Sequence, residues 1–233
     1  GSLTCLQDRI HKLISGFDIN ADHKPETLLA QAYDPDEIYG RRIWKAEMAN
    51  GVLQWSTPKM PLPRQFRVTG SAFADVTGDG SVETLCIRNN ILFIFHKTKA
   101  VYKSSAPVGG SHSTLIYDKD TSVQHQISDS VTFEVAPQAR DIDNDGTLEI
   151  IVPTFQQDLF GSITGDSGAQ QSQLLVVNHD ADRFEQGTLG GFIDGSIQGF
   201  TVQAGQAYLV SSKKGGIFKS GGMSTLLSFP LEQ

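Results

Sequence analysis

Acidic side chains recur at a fixed spacing in three stretches of this chain, D-x-[N/T/D]-x-D-x-x-x-E: Asp18, Asn20, Asp22 and Glu26; Asp75, Thr77, Asp79 and Glu83; Asp141, Asp143, Asp145 and Glu149. Oxygen side chains at alternate positions of a tight turn converge on one point. A hard cation that takes about six to eight oxygen ligands fits there, and calcium is the natural occupant. Gly80 and Gly146 stand sixth in their turns, where the chain must bend sharply and a residue without a Cβ takes positive φ at little cost. Lys24, Ser81 and Thr147 stand seventh, the position that offers a backbone carbonyl to such an ion. An EF-hand would place a bidentate glutamate at roughly the twelfth position. Leu29, Cys86 and Val152 stand there, so this is a different kind of turn.

The copies are not equal. The turn from Asp141 to Glu149 has four acids and the glycine, while the turn from Asp75 to Glu83 has Thr77 in place of the middle acid. The stretch from Asp18 to Glu26 has His23 where glycine is wanted and Pro25 just before the last acid, and it reads equally as a solvated polar turn. Calcium is therefore expected at two sites, with the third open.

The elements that must hold these turns are strands. Each turn runs into a short apolar or β-branched stretch: Thr27-Leu28-Leu29, Thr84-Leu85-Cys86-Ile87 and Ile150-Ile151-Val152. Around each, the same order of strand, acidic turn, strand and hairpin recurs, giving units at roughly 3–58, 65–105 and 113–188. A further unit at 192–231 keeps the rhythm without the acids, built on Ser196 to Gln203, Gln206 to Ser211, Gly216 to Lys219 and Ser224 to Phe229. Four-stranded antiparallel units cannot bury both faces alone, so they are expected to pack radially as a single all-β domain, a β-propeller of four-stranded blades. Four or five blades fit, because Ser113 to Ser128 reads as one more hairpin. Leu3, Leu6, Ile10 and Leu13 fall at helical spacing, so a short N-terminal helix competes with the first strand.

The run Ala74-Asp75-Val76-Thr77-Gly78-Asp79-Gly80 with Glu83, and its partner Asp141-Ile142-Asp143-Asn144-Asp145-Gly146 with Glu149, resemble the FG-GAP and VCBS repeats of integrin α-subunit propellers and bacterial envelope proteins. No Gly-Ala-Pro tripeptide follows the acid, so the likeness is closer to the bacterial class. The resemblance implies that the calcium turns join first to second strands on one face of the disc and that partners dock on the opposite face. There it points to the loops Tyr33 to Arg41, Gln156 to Gln171, Pro58 to Arg64 and Pro107 to His112, with Tyr33, Tyr39, Arg41 and Arg42 as the contacting side chains, since aromatics and arginine dominate interface energetics.

Composition narrows the function. Net charge is −7, and the three turns supply ten of the 26 acids, so the negative charge is concentrated where cations would sit. With no basic stripe, nucleic acid is not an expected partner. Cys5 and Cys86 are too few for a disulfide framework; Cys86 reads as a buried apolar thiol, though a bridge between the two remains open, as does lipidation of Cys5. No apolar run is long enough to span a membrane. The chain opens Gly1-Ser2 without Met, as a trimmed or mature chain does. Calcium turns of modest affinity work where free calcium is near millimolar, which points outside the cytoplasm.

Signals for catalysis are weak. Gly165-Asp166-Ser167-Gly168 has the letters of a serine-protease nucleophile without a matching histidine motif, and the six histidines show no zinc spacing. Trp44 and Trp55 could stack on sugars, but packing between blades accounts for them as well. The sequence thus favours a non-catalytic calcium-binding propeller that binds another envelope or extracellular protein, or a glycan. The runner-up is a carbohydrate-active hydrolase or lyase, or a domain associated with one.

Overall fold

A computed structural model describes residues 12–20, 24–109, 114–119, 127–156, 171–181, 183–213 and 222–231. Within them every regular element is a strand. The first sheet is β1 (Lys12–Phe17), β2 (Thr27–Asp34), β3 (Ile38–Ala49) and β4 (Val52–Ser56), and the second is β5 (Ser71–Ala74), β6 (Glu83–Arg88), β7 (Ile91–His96) and β8 (Lys99–Lys103). A two-stranded ribbon of β9 (Thr114–Lys119) and β10 (Ile127–Thr132) follows. The third full sheet is β11 (Gln138–Arg140), β12 (Glu149–Gln156), β13 (Gln171–Asp180) and β14 (Arg183–Asp194); the last is β15 (Ser196–Gln203), β16 (Gln206–Lys213) and β17 (Met223–Pro230). Strands pair antiparallel in chain order within each sheet, and the four sheets are arranged as the blades of a β-propeller.

Hairpin turns follow the chemistry of their residues. Asn50-Gly51, Asn89-Asn90 and Ala204-Gly205 each place two successive residues at positive φ, the geometry whose twist matches that of the flanking strands. Asparagine and glycine tolerate that conformation; Ala204 does so at some strain.

Blades are sandwiched elements, and β6 and β12 show why their sequences look as they do. In β6, Leu85 and Ile87 pack toward the third sheet with Ile150, Val152, Leu175 and Val177, whereas the intervening Cys86 packs toward the first sheet with Phe17, Leu29, Phe66 and Phe73. In β12, Ile150 and Val152 face the second sheet while Ile151 faces the last sheet, joining Ile197, Ala207 and Leu209. Alternate side chains thus enter different cores, so both faces must be apolar and the strand reads as an unbroken hydrophobic run.

Polar side chains fasten neighbouring blades. Buried Gln31 donates from Nε2 to the Gly40 carbonyl at 2.8 Å and accepts from the Val68 N–H at 3.1 Å, tying the first sheet to the approach of the second. Gln138 does the same between the third and last sheets, donating to the Phe200 carbonyl at 2.5 Å and accepting from the Val202 N–H at 3.3 Å.

The structure differs from the sequence reading in three places. The leading strands of the second and third sheets, expected over Gln65 to Val76 and Thr132 to Ile142, span only Ser71–Ala74 and Gln138–Arg140, because the rest of those stretches runs outside their ladders. The hairpin near residues 113–128 is a separate ribbon rather than a four-stranded blade, with β10 extending to Thr132. In the last sheet, the expected strand at Gly216 to Lys219 lies outside the described residues, and β17 pairs directly with β16, taking the third place instead of the fourth. The helix considered for residues 3–13 falls on residues outside the description except Lys12 and Leu13, which are in β1.

Candidate metal centre

Two of the acidic turns are built alike. In each, the chain leaves a first strand, turns through two αL positions, and enters the second strand on the glutamate. The αL residues are Gly78 (φ +71°) and Gly80 (φ +84°) in one turn and Asn144 (φ +63°) and Gly146 (φ +92°) in the other. Gly80 donates its N–H to Asp75 Oδ2 at 2.9 Å, and Gly146 donates to Asp141 Oδ2 at 3.1 Å. Asp79 Oδ1 accepts from the Ser81 N–H and Asp145 Oδ1 from the Thr147 N–H, both at 2.7 Å. The Val76 N–H reaches Glu83 Oε2 at 3.1 Å, as the Ile142 N–H reaches Glu149 Oε2 at 2.8 Å. These bonds satisfy turn amides that no ladder reaches.

In the Asp141 turn, one carboxylate oxygen each from Asp141, Asp143 and Glu149 lie within 4.8 Å of one another. Asp141 and Asp143 are exposed while Glu149 is 5% exposed, so the group has a solvent-facing mouth and a buried floor. Three hard oxygen donors converging at that range fit a hard divalent cation. Burial, above all, pushes the Glu149 carboxyl above its ordinary range, and the Asp143 and Asp145 carboxylates add to this against the opposing bond from Ile142. A carboxylate held against desolvation and like charge is one that a cation would relieve. Asp145 and Thr147 complete the loop through their mutual bond, outside the convergent three.

The Asp75 turn keeps the scaffold with fewer charges. Thr77 donates its hydroxyl to Glu83 Oε2 at 3.4 Å in place of the missing acid. Glu83 is fully buried, and its Oε1 meets His96 Nδ1 at 3.2 Å. Hydrogen bonding, chiefly from the Ser81 N–H, holds Asp79 below the usual carboxylate range. His96 was not singled out by its spacing in the sequence, yet the hairpin around Asn89-Asn90 pairs Arg88 with Ile91 and Thr84 with Phe95, so counting on by one places His96 opposite Glu83.

The first stretch is out of register. Phe17 pairs with Thr27, whereas Ala74 pairs with Glu83 and Arg140 with Glu149. The connection spans residues 18–26 here against 75–82 and 141–148 in the others, one residue longer. Thr27 therefore occupies the buried place of the glutamates, and Glu26 is exposed, with its N–H bonded to the Lys24 carbonyl at 2.8 Å. Asp18 Oδ1 accepts from the Asn20 N–H at 3.3 Å, and Asp22 lies outside the described residues.

Both well-formed turns open on clefts between blades. One cleft joins Thr77, Asp79, Glu83 and His96 to Tyr102, His179 and Phe184; the other joins Asp141, Ile142 and Asn144 to the Ala204-Gly205 turn.

The side chains proposed for docking sit apart from the acids. The β1–β2 turn and the β2–β3 hairpin lie at opposite ends of the first sheet, since its strands are antiparallel. Tyr33 is 51% exposed and Arg41 and Arg42 are exposed, with Arg42 5.9 Å over the Trp44 ring. Tyr39 is only 5% exposed: its hydroxyl bonds Thr69, its ring packs on Phe133, and the Arg67 guanidinium lies 4.2 Å above it. Strand β3 begins at Ile38, so Tyr39, Arg41 and Arg42 belong to a strand and the loop is a tight turn. Gly165 to Gly168 lie outside the described residues.

Fold and turns together define a β-propeller with an acidic cluster able to hold a metal ion. The chain matches no known family, no curated protein and no solved structure.

Proposed function

We propose that this protein is a non-catalytic, calcium-binding β-propeller of the FG-GAP/VCBS kind that docks a protein or glycan partner in the cell envelope or extracellular space. The observation that carries the reading is the shared scheme of the Asp75 and Asp141 turns, which ends in three convergent carboxylates at Asp141, Asp143 and Glu149. Calcium there would link the end of one strand to the start of the next, fastening the inner part of the blade. An ion bound only by the native state stabilises it in proportion to its occupancy. The docking surface is the far end of the first sheet, where Tyr33, Arg41 and Arg42 are exposed. Among the described residues no helix is long and apolar enough to cross a membrane.

The test combines stability with capture. Adding a chelator should lower the melting temperature, and restoring calcium should recover it. Immobilised protein should retain a partner from an envelope extract, and a Tyr33→Ala, Arg41→Ala, Arg42→Ala variant of unchanged melting temperature should lose it. Melting that ignores both chelator and calcium removes the metal from the account; capture that survives the triple variant removes the docking surface.

A further inference from the structure

We infer that the cleft between the second and third sheets is a binding site for a short, uncharged saccharide. Both sheets have a packed neighbour on either side, so the cleft belongs to the interior of the stack of blades. Alternate residues of a strand share a face, and Leu92 and Ile94 of β7 and Leu175 and Val177 of β13 fill the contact between these sheets. Two residues further along each row the apolar side chain gives way to a histidine, His96 in β7 and His179 in β13. There the contact opens into a cleft of about 800 Å³, within the size range of small-molecule sites.

One wall of this cleft is a run of rings. The Phe184 ring centre lies 4.8 Å from that of His179 and 5.1 Å from that of Tyr102, so rings from both sheets form one continuous surface. All three are half-buried: Tyr102 and Phe184 lean on the core beneath and line the cleft above it. Contact between blades does not demand them. The corresponding cleft between the third and last sheets is lined by Arg140, Ile142, Thr201, Gln203 and Leu231, among others, with no aromatic ring and no histidine among the described residues.

Around the rings stand hydrogen-bonding groups already held in place. Fully buried Glu83 meets His96 Nδ1 at 3.2 Å, which leaves Nε2 on the open side of the ring. Gln186 donates from Nε2 to the Tyr102 hydroxyl, which keeps its own proton to offer. Among the described residues, the Lys99 ammonium and the His179 imidazole have no hydrogen-bond or ion-pair partner, and both line the cleft. The charged groups of the lining are two acids, Asp79 and Glu83, and two bases, Lys99 and Arg183, so the metal-free cleft carries no net charge. That balance favours no ionic ligand. A sugar ring suits it, with apolar C–H faces for the aromatic wall and hydroxyls that both donate and accept. The site shares no side chain with the docking surface of Tyr33, Arg41 and Arg42, and it calls on no bound ion.

Labelled protein applied to an array of neutral and acidic glycans, once with calcium and once with chelator, tests this. Neutral oligosaccharides should be retained in both buffers, and titration with a retained glycan then gives the affinity. Phe184→Leu, which keeps an apolar side chain and removes the ring, should weaken that affinity about tenfold. A Lys99→Ala, His179→Gln variant should weaken it at unchanged melting temperature, whereas the Tyr33→Ala, Arg41→Ala, Arg42→Ala variant should bind as the native protein does. Saturating glycan should slow the modification of His96 and His179 by diethyl pyrocarbonate, read by peptide mass. No retained glycan, retention of acidic glycans alone, or binding that Phe184→Leu spares and the triple variant abolishes would overturn the inference.

Discussion

Glu83 and Glu149 hold the same place in two different blades: each is the first residue of its strand, is buried, and accepts a hydrogen bond from the backbone N–H seven residues earlier. A buried carboxylate bonded by backbone amides with acids beside it, as Glu149 is, is unfavourable unless a proton or a cation joins it. The same pair separates the two turns, since Glu83 has Thr77 and His96 as neighbours whereas Glu149 has Asp143 and Asp145.

Glu149 should make the metal-free protein less stable as pH rises through the raised value. Its folded pKa lies above the ordinary 4.5, so the folded state holds the proton more tightly. That contribution is fully present below the ordinary value and is lost as pH climbs through the raised one. Melting in chelator across this window should decline in the native protein and stay flatter in Glu149→Gln, and the variant should gain less from added calcium.

Restoring the missing acid should strengthen the weaker turn. Thr77→Asp adds a carboxylate at the position that Asp143 holds in the other turn, and calcium affinity at the Asp75 turn should rise roughly tenfold, since ligand charge tunes such sites. Calorimetric titration reads the change; an unaltered isotherm would mean that Thr77 is not placed to reach an ion.

Gln31→Leu should cost about 1–3 kcal/mol, because the Val68 N–H and the Gly40 carbonyl would both lose their partner. Urea unfolding should show a lower midpoint with an unchanged slope. A midpoint within error of the native protein would show that these groups find other partners.

Cys86 should resist thiol reagents in the folded protein. It is a free, buried thiol whose pKa is pushed up to about 12 by burial, so almost no thiolate exists at pH 8. Labelling of Cys86, mapped by peptide mass, should appear only with denaturant; labelling at the native rate of an exposed cysteine would contradict the packing.

Much of this was legible in the sequence because its signals are local. Asn89-Asn90 and the Asp-Gly steps at Asp79 and Asp145 punctuate the chain, and the apolar runs Thr84 to Ile87 and Ile150 to Val152 fall inside β6 and β12. Three features depend on what the chain meets elsewhere. The extra residue before Thr27 slips Glu26 out of register, which spacing between acids cannot reveal when strand ends are unknown. Tyr39 looks like a surface aromatic until Phe133 and Arg67 close on it. The exposed side of β16 is hidden by a sequence that is apolar on both faces.

Calcium titration into metal-free protein tests the central claim most directly. The account predicts two binding events, one removed by Glu149→Gln and the other by Glu83→Gln, with Glu26→Gln leaving both intact. No heat of binding, or two events surviving in the Glu83→Gln, Glu149→Gln double variant, would contradict it.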